Sequence, residues 1–183
     1  MNTSAVPDEK SPDQVGIPRW LMVVVGLVIW LVGIPLVHGG LPRLLSRLGP
    51  RYGWADGCPG AWNLLGLIPV AAGVAGLAWI LGLALVRIGD LPERMRLGLT
   101  SPYLLTSGPY AFSRNPMYVA DVVLWVGWAC FYGSVAVLIG LLALSPVGLI
   151  VVPREERGLE ARFGETYRQY KQTVPRWLGK RRR

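Results

Sequence analysis

Charged residues are scarce in this chain of 183 residues: they make up 16% of it, whereas hydrophobic residues make up 52%. An ordinary soluble domain carries about 25% charged residues. The deficit is concentrated, because Asp, Glu, Lys and Arg are all missing from three windows, residues 20–42, 57–86 and 122–153, which together hold 85 residues. A spanning helix needs about 20 apolar residues to cross roughly 30 Å of hydrocarbon. The sequence therefore predicts an integral membrane protein and argues against a soluble domain.

Histidine and cysteine are also rare. The two cysteines, Cys58 and Cys130, lack CxxC spacing and a companion His cluster, so we expect no metal site. The single histidine, His38, is expected at the far end of the first span, where it could not act as a catalytic base. A signal-peptide pattern is missing too, because residues 1–19 include three acidic residues and the apolar run after them is too long. We therefore expect the first apolar segment to stay as a membrane anchor.

The three uncharged windows predict about four transmembrane helices in an all-α, polytopic fold. The first span is expected from Trp20 to about Val37, with Gly39-Gly40-Leu41-Pro42 as its stop, and the second from Trp62 to Val86. As one helix, Tyr118 to Val152 would measure roughly 52 Å, far more than the bilayer core. A tight C-terminal hairpin turning at residues 131–134 solves this problem, and we expect a cytoplasmic amphipathic helix after it.

The positive charge is distributed unevenly in this topology. The formal net charge is +8, and 16 of the 19 Lys and Arg residues fall on the side that holds the N-terminus, the loop from Arg87 to Met117 and the C-terminal segment. The positive-inside rule places that side in the cytoplasm. A basic excess on a membrane protein is better explained by anionic lipids than by nucleic acid, so no nucleic-acid partner is expected. We expect a flexible tail at 1–18, one membrane domain at 19–178 and a basic tail at 179–183.

A first polar segment precedes the hairpin. Asn115 followed by Pro116 is typical of a helix start, since Asn suits the N-cap and Pro the first helical position. A helix N-terminus with free N–H groups beside Arg114 can bind an anion such as a carboxylate. A plain cap with a snorkelling arginine is the alternative.

A second polar segment follows the hairpin, and Pro153 is predicted as its first helical residue. Apolar and aromatic residues recur there at spacings of three and four, which predicts an amphipathic helix, and a position on the membrane surface is the simplest explanation of its apolar face: Leu159, Phe163, Tyr167, Tyr170 and Val174. Glu155 and Glu156 lie in its first turn. Their carboxylates either interact favourably with the helix dipole or bind a cation or ribose hydroxyls, and the pattern alone leaves both interpretations open.

The two polar segments and the hairpin between them carry a series of motifs, which follow one another along the chain in this order: Gly108-Pro109-Tyr110, Arg114-Asn115-Pro116-Met117-Tyr118, the hairpin, Glu155-Glu156, Phe163-Gly164-Glu165-Thr166-Tyr167, Tyr170 and Val174-Pro175-Arg176-Trp177. Together they resemble the isoprenylcysteine carboxyl methyltransferase and phospholipid methyltransferase superfamily, in a bacterial form, over residues 90–178. The resemblance implies a multi-pass methyltransferase of the bacterial inner membrane, and we expect both of its termini in the cytoplasm. It also implies that the protein binds S-adenosylmethionine between the hairpin and its flanking segments.

Carried over by residue, the resemblance implies catalytic roles for Arg114 and Glu156. It implies cofactor binding by Gly108, Pro109, Tyr110, Arg114, Asn115, Pro116, Tyr118, Glu155 and Glu156, and acceptor binding by Tyr167, Arg168 and Tyr170. Asn115 departs from the family pattern, because eukaryotic members usually have His there, so imidazole chemistry is not expected at that position.

The acceptor stays open between carboxyl O-methylation and phospholipid N-methylation of a membrane-held substrate. S-adenosylmethionine is already activated, so transfer mainly needs in-line positioning and removal of water. A carboxylate attacks directly, whereas an ammonium must first lose a proton. Two other classes compete: an NADPH-dependent sterol or steroid reductase, although no GxGxxG is present, and a non-catalytic membrane protein on the same scaffold.

Overall fold

The computed structural model describes residues 17–87, 94–95 and 104–179. Its helices are α1 (Arg19–Leu45), α2 (Ala61–Val86), α3 (Pro116–Tyr132) and α4 (Val135–Thr173). By length and apolar composition α1, α2 and α4 can each cross a membrane, while α3 is a shorter apolar helix of 17 residues. This confirms the predicted all-α membrane fold.

Helix α1 runs further than the sequence predicts. It passes Gly39 and Pro42 and ends at Leu45, so the expected stop after Val37 is wrong. Two π-helical turns, Ile29–Gly33 and Leu36–Gly40, lie within it. Glycine and proline are tolerated inside membrane helices because the freed backbone groups find other partners locally.

Helices α2 and α3 pack closely because small residues line their contact. A Cβ on Gly73 would lie 2.9 Å from the Ala120 carbonyl oxygen, and one on Gly127 would lie 2.6 Å from the Val70 nitrogen. Such distances leave room only for a hydrogen atom, as in other small-residue contacts between membrane helices. Buried Val70, Leu77, Ala120 and Leu124 form the core of this pair.

Helices α3 and α4 form the predicted hairpin. Gly133 ends α3 with φ of +55°, a left-handed conformation that suits glycine, and Ser134 precedes α4. A Cβ at Gly133 would collide with the backbone of Tyr52. The turn therefore lies within the predicted residues 131–134, at the end of the molecule opposite the polar segments.

Helix α4 corrects the expectation of a separate amphipathic helix. Pro153 lies inside it rather than at a helix start, and the helical conformation is broken at Gly164 (φ +52°, ψ −123°), a conformation accessible mainly to glycine, before it resumes up to Thr173. The part before Gly164 alone measures about 44 Å at 1.5 Å per residue, so the charged residues after Pro153 extend beyond the bilayer core.

The apolar face of this second part of α4 is packed inside the protein. Tyr167, Tyr170 and Val174 form a buried cluster, and Leu104, Leu159 and Phe163 pack against it. The expectation that this face lies on the membrane is therefore wrong for its aromatic residues. Because the kink at Gly164 changes the direction of the chain, the face meets the segment that precedes α3.

Two short antiparallel strand pairs complete the described chain. β1 (Ile17–Pro18) pairs with β4 (Arg94–Met95), and β2 (Trp54–Ala55) pairs with β3 (Cys58–Pro59). The predicted tail at 1–18 therefore ends in a strand. The rest of that tail, 1–16, and the basic residues 180–183 lie outside the described residues.

Candidate functional site

A cavity of about 210 Å³ lies where the segment before α3, the first turn of α3 and the charged part of α4 meet. We call it the polar cavity. Its lining includes nine of the residues predicted from the sequence: Tyr110, Arg114, Asn115, Pro116, Tyr118, Glu155, Glu156, Tyr167 and Tyr170. The rest of the lining is apolar and comes from Leu104, Leu105, Met117 and Leu159. Residues as far apart in the chain as Tyr110 and Tyr170, 60 positions, are thus brought to one site.

Glu156 is the most heavily bonded of these residues. Its side chain is 7% exposed, and Arg176 donates to it from Nη2 at 2.7 Å and from Nε at 3.2 Å. The Asn115 amide donates to Oε1 at 3.3 Å, and the Arg114 guanidinium lies 3.6 Å away. The carboxylate of Glu156 therefore joins the start of α3, helix α4 and the C-terminal segment.

Asn115 occupies the N-cap position of α3, as predicted, but its side chain does not cap the helix. The amide instead donates to Glu156 and to the Arg176 carbonyl oxygen at 3.2 Å. Without a side-chain cap, the first turn of α3 keeps backbone N–H groups available beside the cavity.

The C-terminal segment is tied to the loop before α3 by backbone and side-chain hydrogen bonds. Arg114 N donates to the Pro175 carbonyl at 2.9 Å, and the buried Ser113 hydroxyl donates to the Arg176 carbonyl at 3.2 Å. At the other end of the cavity, the Tyr170 hydroxyl donates to the Tyr110 carbonyl at 2.7 Å. These contacts hold both walls of the cavity together.

Ser113 and Arg176 are functional residues to which sequence reasoning gave no role. The hydrogen bonds from the Arg176 guanidinium to Glu156 raise the pKa of that arginine above its usual range, so Arg176 stays charged. The only sequence signal for Arg176 was its place in the motif Val174–Trp177. Nothing in the spacing indicated that Glu156 would be its partner 20 residues earlier.

Glu155 and Arg114 have polar atoms left for a ligand. Glu155 lines the cavity and has no hydrogen bond or ion pair within the part of the chain that the structure describes. Arg114 is 10% exposed, and its Nε and Nη1 atoms meet no acceptor of good geometry among the described residues. Buried polar groups normally have partners, so these atoms make the cavity a candidate binding site.

Three of the predicted site residues do not line the polar cavity. Gly108 and Pro109 belong to a 3₁₀ turn, Gly108–Ala111, and a Cβ on Gly108 would lie 3.2 Å from the Leu83 side chain. Arg168 is 56% exposed and pairs with Glu160 and Glu165 on its own helix. Gly108 thus packs against α2, while Tyr110 of the same 3₁₀ turn reaches the cavity lining. Arg168 lies on the outer surface of α4.

A second, larger cavity of about 650 Å³ lies deeper, between α1, α3 and α4. We call it the apolar cavity. Most of its lining is aliphatic or aromatic: Val37, Val119, Val122, Val123, Leu141, Leu144, Leu149, Leu178, Tyr118, Trp125 and Trp177. Tyr118 lines both cavities, and the Trp177 ring stands edge-on to it at 6.4 Å. The two cavities are therefore neighbours across one aromatic side chain.

His38 and Asp121 also line the apolar cavity. His38 does not lie at the far end of the first span, because α1 continues for seven residues beyond it. Its Nε2 atom is 3.6 Å from Asp121 Oδ1, and the Trp125 indole N–H donates to its Nδ1 at 3.0 Å. The imidazole thus packs against the first turns of α3, next to the turn that carries Tyr118.

Comparisons with known proteins add an independent finding. A family model described as phospholipid methyltransferase matches residues 74–166, half of the chain. An uncharacterised protein of Haemophilus influenzae (strain ATCC 51907 / DSM 11121 / KW20 / Rd) is 33% identical over 63 residues, which are 34% of this chain and 100% of that protein. No solved structure matches the chain.

Proposed function

Because the chain belongs to the phospholipid methyltransferase family, we propose that it is a multi-pass membrane enzyme that transfers a methyl group from S-adenosylmethionine to a membrane-held acceptor. The polar cavity is the cofactor site in this proposal, and the apolar cavity receives the acceptor. The observation that carries it is the position of Tyr118, which lines both cavities. A water-soluble donor and a lipid-like acceptor can then meet at one residue.

The polar cavity has the groups that this cofactor needs. Its amino-acid part carries a carboxylate and an ammonium, and its nucleoside part carries ribose hydroxyls. Arg114 Nε and Nη1, together with the uncapped first turn of α3, suit the carboxylate. Glu155 has a carboxylate free to accept hydrogen bonds from the ammonium or the ribose. The residues present therefore fit the cofactor.

Glu156 has a different role from Glu155 in this proposal. Its oxygens already accept bonds from Arg176 and Asn115, so it is a positioning residue that holds the walls of the cavity. Glu155 is the glutamate that contacts the cofactor. The motif Glu155-Glu156 thus combines one ligand-binding carboxylate and one that keeps the site in shape.

S-adenosylmethionine supplies an activated methyl group on a sulfonium, which leaves as a neutral thioether when a nucleophile attacks. The chain's own residues need to orient the acceptor in line and exclude water. Tyr118 and Trp177 form an aromatic wall at the junction of the cavities, where both tasks are needed. A phospholipid amine and the carboxylate of a prenylated cysteine are both membrane-held nucleophiles of the required kind.

We place this activity at the cytoplasmic face of a bacterial inner membrane. The support is the charge pattern of the sequence, in which 16 of the 19 basic residues fall in the segments that the predicted topology assigns to the cytoplasm. Basic residues on that face can also hold lipid phosphates, at about 1 kcal/mol per charge.

Equilibrium binding of radiolabelled S-adenosylmethionine to the purified full-length protein in detergent tests the proposal. We expect saturable binding to the wild type and about tenfold weaker binding to Glu155→Gln, because one charged hydrogen bond is lost. Glu165→Gln is the matched control, since Glu165 is 64% exposed on the same helix and lies outside the cavity lining. It should bind like the wild type.

The same assay with NADPH separates the methyltransferase from the reductase that the sequence left as an alternative. Saturable binding of NADPH, without binding of S-adenosylmethionine, would overturn the proposal in favour of a reductase. Binding of neither would favour a non-catalytic protein. Equal affinities of Glu155→Gln and the wild type would refute the assignment of Glu155 alone.

A further inference from the structure

Two tyrosines of α4, Tyr167 and Tyr170, are buried against the polar cavity, but their hydroxyl groups differ. The Tyr170 hydroxyl donates to the Tyr110 carbonyl oxygen at 2.7 Å. Tyr167 is only 1% exposed, and its hydroxyl has no hydrogen-bond partner among the described residues. A buried hydroxyl without a partner is costly, and an unpaired group of this kind in a folded protein calls for a functional explanation. Tyr167 needs such an explanation, whereas Tyr170 does not.

The position of Tyr167 relates it to the cofactor side of the site. It lines the polar cavity together with Arg114, and the described residues that line the apolar cavity do not include it. A ligand that meets its hydroxyl is therefore the occupant of the polar cavity. In the proposed function that occupant is the methyl donor and not the acceptor.

Arg114 lies beside this hydroxyl and also has unpaired donors. The two groups are close enough for an electrostatic interaction. The Nε and Nη1 atoms of Arg114 are buried without an acceptor among the described residues, while its Nη2 lies 3.6 Å from Glu156. Glu156 accepts a shorter bond, of 2.7 Å, from Arg176. Arg114 therefore keeps a positive charge and N–H groups at two nitrogens that Glu156 does not satisfy.

The unpaired groups of Arg114 and Tyr167 fit one kind of chemical group. A buried phenol keeps its proton at neutral pH, because burial disfavours the phenolate, so the hydroxyl can donate. An ionised carboxylate only accepts hydrogen bonds, and its two oxygens can take about four. The charge of Arg114 attracts a carboxylate and repels an ammonium. Three buried donors at one cavity wall thus suit a carboxylate best.

We infer that the Tyr167 hydroxyl donates a hydrogen bond to the carboxylate of the methyl donor's amino-acid part, beside Arg114, and that these two residues select donors that carry this carboxylate. The inference rests on the proposed function, because it assigns one more residue of the same cofactor site. Tyr167 is thus a cofactor-binding residue, whereas the resemblance of the motifs implies acceptor binding. Glu155 stays the partner of the ammonium or the ribose.

Competition binding to the purified full-length protein in detergent tests the inference. The probes are S-adenosylmethionine and its decarboxylated analogue, which keeps the sulfonium, the ammonium and the nucleoside but lacks the carboxylate. We expect the wild type to bind S-adenosylmethionine about a hundredfold better than the analogue. In Tyr167→Phe this ratio should fall about tenfold, because one hydrogen bond to a charged group is lost, and the affinity for the analogue should stay near the wild-type value.

Tyr170→Phe is the matched control, because it removes a hydroxyl from the same helix whose acceptor lies within the protein. It should weaken the binding of both ligands alike, so that their ratio stays at the wild-type value. Thermal unfolding without ligand gives a second readout. Tyr170→Phe should lower Tm, and Tyr167→Phe should not, since its hydroxyl has no partner to lose.

The outcomes separate the inference from the proposed function. An unchanged ratio in Tyr167→Phe, whether or not the two affinities fall, would overturn the inference. So would a wild type that binds both ligands equally, although its binding of S-adenosylmethionine would still support the proposed function. A wild type that binds neither ligand would refute the proposed function and the inference with it.

Discussion

Two carboxylates on the C-terminal hairpin, those of Glu156 and Asp121, differ in how many side chains of the protein contact them. Glu156, in the polar cavity, accepts bonds from Arg176 and Asn115, with Arg114 close by. Asp121, in the apolar cavity, has an Oδ1 atom that accepts no hydrogen bond from the described residues, and His38 Nε2 lies 3.6 Å from it. A buried carboxylate that several side chains contact holds structure together, and removing it leaves those partners without their acceptor. The comparison therefore predicts a larger structural role for Glu156 than for Asp121.

The largest effect should come from removing the balanced carboxylate. Glu156→Ala leaves Arg114, Asn115 and Arg176 without their acceptor, and we expect it to lower the free energy of unfolding by about 3 kcal/mol. Cofactor binding should weaken with it, because the side chains of Arg114, Asn115 and Arg176 lose the carboxylate that holds them in place beside the polar cavity. Thermal unfolding in detergent measures the first effect and S-adenosylmethionine binding the second. A stable Glu156→Ala protein would contradict the structural role.

Two arginines on the same side of the molecule give an intermediate and a small effect. Arg176→Ala removes the bidentate partner of Glu156 and should cost about 1.5 kcal/mol of stability. Arg168→Ala removes an exposed pair with Glu160 and Glu165 and should cost less than about 0.5 kcal/mol. Thermal unfolding of both variants measures the difference. Equal losses of stability in the two variants would mean that burial of the carboxylate acceptor does not strengthen the ion pair.

Much of the fold was predictable because it depends on local composition. The uncharged windows indicated apolar helices, and the hairpin turn was found at Gly133 because a single helix would have been too long. The errors involve glycine and proline: α1 passes through Gly39 and Pro42, and α4 passes through Pro153. Rules for these residues come mainly from soluble proteins, in which water takes the place of a lost backbone hydrogen bond. In membrane helices, neighbouring helices, side chains and local changes of helix geometry satisfy the freed backbone groups instead.

The sequence predicted most of the residues of the candidate site but not the separate role of each one. Nine predicted residues line the polar cavity, because the motifs that carry them flank one hairpin. Arg168 was included only for its place beside Tyr167, and the structure puts it on the outer surface. Both Glu155 and Glu156 line the cavity, and which of them keeps its carboxylate free for a ligand depends on which one meets Arg176, a contact that spacing does not reveal.

By itself the sequence determined the membrane setting, the hairpin and the motifs that resemble a methyltransferase family, because scarce charge and local motifs act over a few neighbouring residues. Only the tertiary structure decided which charges are balanced. Glu156 meets Arg176 across the kink at Gly164, and His38 meets Asp121 over 83 positions of the chain. The energy of a buried charge depends on the partners that folding brings within a few ångströms, and those partners come from separate helices.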